Sequence, residues 1–143
     1  MWDDADVSDD DVELPQLRRI IKISGYARAT FGVAMIAAPG IVGNGWIGAD
    51  GKRRGVKALT RALGIRDLLI GAGAILAVNE QRDLRRWVEF SMVADGMDAA
   101  ATLLALPAIP TPKGVLAVAL AGGWTATAAW ILTRLPEEVP STA

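Results

Sequence analysis

The sequence predicts an all-α protein: a four-helix transmembrane bundle with a disordered acidic N-terminal tail. The first observation is a series of four apolar runs, each close to the about 20 residues that a helix needs to cross a bilayer. The second is the composition, with 52% hydrophobic residues and a mean hydropathy of +0.31. The third is that basic residues collect at the ends of the runs, as they do beside membrane helices. A soluble bundle would need a polar stripe on every helix, which the first and fourth runs lack.

Acidic segments stand at both ends of the chain. Seven of the sixteen acids lie within the first 13 residues, so residues 1–16 are predicted to be a disordered, solvated tail. This segment does not have the pattern of a signal peptide, because acids rather than bases follow Met1. Residues 136–143 contain two glutamates and are predicted to be a second loose tail. The bundle is therefore assigned to residues 17–135.

The first half of the bundle region contains two apolar runs. Residues 17–28 are basic and amphipathic, which suits the membrane surface. Residues 29–49 follow without a charge and predict the first span, which Pro39 is expected to kink or end. A glycine-rich loop over 43–57 leads to the second run, residues 58–78, which carries three charged residues.

The second half contains the other two runs. A short polar connection leads to the third run, residues 87–106, which carries three acids and is ended by prolines. The fourth run, residues 114–133, has no charged residue, and Trp124 lies near its middle. Because an indole N–H needs a partner inside a bilayer, Trp124 is expected to face the bundle.

The distribution of bases predicts the orientation. Four spans place both termini on the same side of the membrane. That side would hold seven bases and the opposite side five, and positively charged flanks favour the cytoplasm, so the termini are predicted to be cytoplasmic. The seven are Arg18, Arg19, Lys22, Arg82, Arg85, Arg86 and Arg134, and the five are Lys52, Arg53, Arg54, Lys57 and Lys113.

Polar residues inside the second and third runs predict a contact between them. Because their connection is short, the two helices are expected to be antiparallel neighbours. Counted inward from the membrane edge, Arg66 and Asp98 lie at the same depth, so Arg66 is expected to bind Asp98 or, one turn away, Asp95. Ser91 and Thr102 extend the same polar stripe of the third helix.

The second helix has a face of small residues around one acid. Gly64, Asp67 and Gly71 fall near that face, and the glycines are expected to let a neighbouring backbone approach closely. Asp67 and the two acids of the third run give three acids against the one base Arg66, unless Arg28 or Arg61 contributes. Two interpretations remain: an ion-pair network that fixes the helices, or a proton relay, cation site or general acid.

The residue types exclude several classes of chemistry. There is no cysteine and no histidine, so disulfides, thiolate nucleophiles, histidine-bound metals and histidine-based triads are excluded. Neither a cofactor nor a metal site is predicted. The bases form no continuous stripe apart from the loops and membrane flanks, so nucleic acid is not an expected partner.

Two stretches resemble a known family. They are R-A-L-G-I-R-D-L-L-I-G at 61–71 and A-D-G-M-D at 94–98. They resemble the R-x-x-G-x-R-D-x-x-x-G helix and the following D-x-x-D helix of a group of small bacterial four-span integral membrane proteins of unknown function. The resemblance extends to the order and length of all four runs. It implies a multi-pass protein of the bacterial inner membrane and supplies no reaction. The signature residues that it implies are Gly64, Arg66, Asp67, Gly71, Asp95 and Asp98.

Three functions remain open from the sequence. The favoured one is a structural or accessory subunit that sits in the lipid bilayer beside a larger membrane complex or a second copy of itself. The second is a bundle that binds a hydrophobic ligand (a lipid, quinone or isoprenoid) or couples to protons, favoured by the uneven charges and by Trp124. The third is a membrane enzyme with Asp95 or Asp98 as general acid.

Overall fold

The computed structural model describes residues 9–136, which form helices and short connections with no strand among them. The predicted all-α class is confirmed. Two short 3-10 helices, Gly48–Lys52 and Leu106–Ala108, lie in the connections. The α-helices are α1 (Asp9–Ala37), α2 (Pro39–Ile47), α3 (Arg54–Glu80), α4 (Leu84–Ala105) and α5 (Thr111–Leu132).

Three of these helices are long and apolar enough to cross a membrane. The candidate spans are Leu14–Ala37, Arg54–Glu80 and Pro112–Leu132, so the prediction of membrane-spanning helices is confirmed to that extent. The 22 residues of α4 also reach the length of a span. α4 is not among the candidate spans because charged residues are spread along its length. They are Arg85, Arg86, Glu89, Asp95 and Asp98.

The first span lies earlier in the chain than predicted. The basic stretch 17–28 and the start of the charge-free run form one continuous helix, α1, so the prediction of a single span over 29–49 is wrong. The helix ends near Pro39, as expected, because a proline disfavours the helical conformation of the residue before it, here Ala38 with φ −127° and ψ 52°. As a consequence, Arg28 lies inside a candidate span instead of at its edge.

The predicted acidic tail is helical where the structure describes it. Residues 9–16 form the beginning of α1, with Pro15 inside the helix. Acidic residues are favoured at a helix N-terminus, and the next turn is anchored by the buried Leu17, so the helix extends into the acidic segment. Residues 1–8 of this predicted tail, and 137–143 of the second one, lie outside the described residues.

Glycines bring α1 and α3 into close antiparallel contact. A Cβ atom at Gly71 would lie 2.6 Å from the carbonyl oxygen of Gly25, and one at Gly64 would lie 2.7 Å from that of Gly32. On each helix the two glycines are separated by two helical turns, so both contacts fall on the same face. Gly64 and Gly71 are therefore packing positions, and the backbone that they admit is that of α1.

The remaining helices close the two ends of the bundle. At one end, α1 and α4 begin while α3 and α5 end, and these four helices meet in a hydrophobic core. At the other end, α2 contacts α5, and the ammonium group of Lys113 donates a hydrogen bond of 2.7 Å to the carbonyl oxygen of Asn44. The core residues are Leu17, Ile21, Ala74, Val88, Ala128, Ile131 and Leu135.

Candidate ligand-binding site

Five charged side chains form one chain of ion pairs across three helices. Arg28 on α1 binds Asp67 on α3, at 3.1 Å, and Asp95 on α4. Arg66 on α3 binds Asp67, at 2.9 Å, and Asp98 on α4, at 2.6 Å. We call these five residues the charge cluster. Each carboxylate has a guanidinium partner, and such pairing lowers the cost of keeping a charge in a low-dielectric interior.

The expected contact between Arg66 and Asp98 is present, and it consists of two hydrogen bonds. The Nη1 atom of Arg66 donates to Oδ1 of Asp98 at 2.9 Å, and Nη2 donates to Oδ2 at 2.6 Å. The planar guanidinium matches the spacing of the carboxylate oxygens, which makes this arrangement stronger than a single contact. Both oxygens of Asp98 are therefore occupied.

Arg28 is the member of the charge cluster that the sequence pattern indicated only as an alternative to Arg61. Its guanidinium connects α1 to α3 and α4, and its side chain is only 13% exposed. The charge-free run beginning at residue 29 placed it at the membrane surface. The spacing of the glycines could have identified it. Arg28 follows Gly25 by three residues, just as Asp67 follows Gly64, and these glycines lie where α1 and α3 pack together.

Arg61, the other optional contributor, is not in the cluster. Its Nε atom donates a hydrogen bond of 3.3 Å to the carbonyl oxygen of Ile36. That carbonyl belongs to the last turn of α1, where backbone acceptors have no partner within the helix. Arg61 therefore caps a helix end and adds no charge to the site.

Asp95 has one satisfied oxygen and one unsatisfied oxygen. Its Oδ1 accepts a hydrogen bond from Nη2 of Arg28, whereas its Oδ2 is buried without a hydrogen-bond partner. The whole residue is 7% exposed, so water does not replace the missing donor at its surface. A buried acceptor without a donor is unfavourable and rare in folded proteins. Oδ2 of Asp95 is thus a buried acceptor that the charge cluster leaves unsatisfied.

A cavity of about 610 Å³ lies between the helices, and Asp95 is part of its wall. All five α-helices contribute to the lining, which is mostly aliphatic and aromatic. Asp67, Asp98 and Arg28 join Asp95 in the wall, and Lys113 lines it near α2. A mostly apolar cavity of about 300–1,000 Å³ with a few convergent polar groups is typical of a small-molecule site.

The cavity opens between α1 and α5. Phe31 on α1 and Leu116, Leu120 and Trp124 on α5 line the cavity, yet they remain 48%, 60%, 58% and 45% exposed. Their exposure marks a side of the bundle where the wall is incomplete. Trp124, expected to face the bundle, lines this opening.

The polar residues predicted to form a stripe on the third apolar run lie on α4 and have two different environments. Ser91, Asp95 and Asp98 line the cavity, whereas Thr102 is buried and is not part of its wall. Within residues 9–136, no group of three or more acidic, histidine or cysteine side chains is arranged to hold a metal ion. The three aspartates of the cluster are turned to arginines instead.

Comparison with known proteins gives no match to a family model, to a curated protein or to a solved structure. The resemblance to small four-span membrane proteins therefore stays a prediction, and the site is interpreted from its own geometry.

Replacing Asp98 with asparagine is expected to lower the free energy of unfolding by about 1.5–3 kcal/mol, because one charged acceptor of Arg66 is lost. Arg66 keeps Asp67 as a partner, which limits the effect. Thermal unfolding in mild detergent measures the change. Glu80→Gln is the matched control, since Glu80 pairs with Arg82 at the exposed end of α3. Equal effects of the two variants would contradict a stabilising pair between Arg66 and Asp98.

Proposed function

We propose that this chain is a four-span membrane protein that binds a hydrophobic ligand in the cavity between its helices. The observation that carries the proposal is a mostly apolar cavity of about 610 Å³ whose wall includes the three aspartates of the charge cluster. A charge cluster that only holds helices together does not require a cavity beside it. The ligand has an apolar body and a small polar head, as membrane lipids and related molecules do.

The proposal takes α4 as the fourth span. Its central acids, Asp95 and Asp98, are paired with arginines of the neighbouring helices, so their charges do not face lipid. Its other side carries large hydrophobic residues that are at least half exposed, including Phe90, Val93 and Met97. A helix with charges turned inward and apolar side chains turned outward is typical of a membrane bundle.

We place the protein in the bacterial inner membrane with both termini in the cytoplasm. The bacterial assignment comes from the sequence resemblance. The orientation is supported by the excess of bases at the end of the bundle where α1 begins and α5 ends. At that end Lys22 of α1 donates a hydrogen bond of 2.8 Å to the side-chain oxygen of Asn79, so the basic segment of α1 lies beside the end of α3.

The opening between α1 and α5 gives the ligand a route. Its rim consists of apolar and aromatic side chains, which suit entry from the hydrocarbon core of the bilayer better than entry from water. The ligand would slide its apolar body between the two helices and bring its head to the level of the charge cluster.

Filling the cavity tests the proposal. Ala121→Phe places a ring in the cavity, because Ala121 is part of its wall. We expect binding of bromododecanol to weaken at least about tenfold, equivalent to about 1.4 kcal/mol. Bromine quenches nearby indoles, so saturable quenching of tryptophan fluorescence in lipid nanodiscs reports binding at Trp46, Trp87 and Trp124, which line the cavity.

Ala119→Phe is the matched control, since it makes the same change at an exposed position of α5 that does not line the cavity. It is expected to leave saturable quenching unchanged. Absence of saturable quenching in the unmodified protein, or equal quenching in Ala121→Phe, would overturn the proposal.

A structural or accessory subunit is the second candidate. It is supported by the extent to which the charge cluster satisfies itself, since four of its five side chains pair without an orphaned buried atom. Native mass spectrometry of protein extracted from its own membranes separates the two functions. A lone chain or homodimer with one retained small molecule supports ligand binding, whereas a stoichiometric protein partner supports the accessory role.

A further inference from the structure

A second pocket lies at the end of the bundle where α1 ends and α3 begins. Its volume is about 550 Å³, and the first residues of α2 are also part of its wall. Three residues of the wall are basic, and none of the described residues that line it is acidic; the basic ones are Lys52, Lys57 and Arg61. We call this the basic pocket, and we infer that it holds the phosphate head of an anionic phospholipid.

The three bases lie around the junction of α1 and α2. Lys57 and Arg61 stand one turn apart on α3, and Nε of Arg61 donates a hydrogen bond of 3.3 Å to the carbonyl oxygen of Ile36 in the last turn of α1. A Cβ atom at Gly40, in the first turn of α2, would lie 3.6 Å from the ammonium nitrogen of Lys57. Lys52 ends the 3-10 helix that follows α2. Separate segments of the chain therefore bring their positive charges to one pocket.

The positive charges of the basic pocket have no anionic partner within residues 9–136. Lys52 and Lys57 make no hydrogen bond or ion pair there, and Arg61 makes only the bond from Nε. Asp50, two residues before Lys52, pairs with Arg53 instead. Like charges around one pocket repel each other, so an anion bound among them is favoured. A phosphate group suits the position because its several oxygens accept from Lys and Arg side chains at the same time.

The position of the basic pocket favours a lipid as the source of the phosphate. The candidate span in α1 ends at Ala37, which is part of the pocket wall, and the span in α3 begins at Arg54. The pocket therefore lies where two spans reach the membrane surface, at the level of lipid head groups. Ile41, also in the wall, is 77% exposed and offers an apolar surface to the lipid next to its head. Basic pockets between membrane helices are known to bind anionic head groups.

This inference goes beyond the proposed function. The basic pocket has no wall residue in common with the cavity between the helices. It requires that the helices span a membrane, but it does not require a ligand in that cavity. The two proposals can therefore fail independently.

Two phospholipids with the same acyl chains test the inference. Phosphatidylglycerol has an anionic head, whereas phosphatidylcholine has a zwitterionic one. Each base near a membrane surface contributes about fivefold to the binding of anionic lipid, so three bases predict a preference of about 100-fold for phosphatidylglycerol. Native mass spectrometry of the full chain in mild detergent, with increasing lipid concentration, gives the affinity for the first bound lipid of each kind.

Two double variants locate the site. Lys52→Gln combined with Lys57→Gln should weaken binding of phosphatidylglycerol about 25-fold and leave phosphatidylcholine unchanged. Arg53→Gln combined with Arg54→Gln is the matched control, because it removes the same charge from adjacent positions that do not line the pocket. It should retain most of the preference. Arg61 is left in place because it also caps α1.

Circular dichroism checks that the variants keep their helices. If the Lys52→Gln, Lys57→Gln protein does not fold, Lys52→Gln alone takes its place, since Lys52 is exposed, with an expected loss of about fivefold.

Four results would overturn the inference. The first is equal affinity of the unmodified protein for the two lipids. The second is a preference that persists in the folded pocket variant or falls equally in the control, which would assign it to bases elsewhere or to overall charge. The third is its loss in Ala121→Phe, which would place the lipid in the central cavity. The fourth is displacement of the lipid by an equal concentration of glycerol 3-phosphate, which would indicate a site for soluble phosphates.

The remaining combination separates the two proposals. A preference for phosphatidylglycerol that depends on Lys52 and Lys57 supports the lipid site even if bromododecanol shows no saturable quenching. In that case only the proposed ligand binding in the cavity is overturned.

Discussion

Replacing Arg28 with methionine is expected to lower the free energy of unfolding by about 3–5 kcal/mol, the cost of leaving buried charge without its partner. The substitution keeps most of the side-chain volume and removes the guanidinium. Asp95 then loses its hydrogen-bond donor, and Asp67 is left with Arg66 alone. Thermal or denaturant unfolding in mild detergent measures the loss.

A second substitution distinguishes lost pairing from lost packing. Asp95→Asn in the Arg28→Met background removes the carboxylate that was left unpaired, so the double variant should recover part of the lost stability. Arg53→Met is the control, because Arg53 pairs with Asp50 while its side chain is 76% exposed, and exposed pairs contribute little. A destabilisation of Arg28→Met no larger than that of Arg53→Met would show that the cluster does not stabilise the fold.

Replacing Gly71 with valine should destabilise the protein by at least about 3 kcal/mol, at or above the upper range for overpacking. A Cβ atom there would lie 2.6 Å from the carbonyl oxygen of Gly25 and 2.7 Å from the backbone nitrogen of Ala29. Backbone atoms cannot rotate away, so α1 and α3 must separate. Arg28 lies in the next turn of α1, and the separation would therefore also lengthen its contact with Asp67.

Gly122→Val is the matched control for this prediction. A Cβ atom at Gly122 in α5 would meet nothing within 4 Å, so the added side chain has open space. Its effect on unfolding should stay within about 0.5 kcal/mol, as for most unconstrained surface positions. Similar losses for the two variants would mean that helix propensity, not the contact between α1 and α3, governs the effect of removing these glycines.

The helices themselves are easier to predict than the way they pair. α3 and α5 correspond closely to the second and fourth apolar runs, because hydropathy, length and proline positions are local properties of the chain. The contact between Arg66 and Asp98 was also predictable, since a short connection fixes the relative depth of two consecutive helices. The pairing of α1 with α3 was not, because it depends on two pairs of glycines, 46 and 32 residues apart, that fit each other only in three dimensions.

Arg28 shows why the first span was misplaced. Counting charge-free residues assumes that a charge marks the membrane edge, and that assumption fails when the charge has buried partners. Arg28 has two of them, in α3 and α4. The cavity could not be predicted at all, because it depends on where the side chains of five helices leave space unfilled. Most of the charge cluster is therefore predictable from the sequence, whereas the volume beside it is not.

The ion pairs of Arg28 also constrain how the protein is made. The partners of Arg28 stand 39 and 67 residues further along the chain, so the first span leaves the ribosome before either aspartate has been synthesised. An arginine at the centre of a lone inserted helix costs about 2.5–3.5 kcal/mol. The helix that is made first is therefore poorly suited to reside in lipid by itself. In the proposed membrane bundle, stable insertion of α1 would therefore await α3, because α3 carries the first partner of Arg28, Asp67.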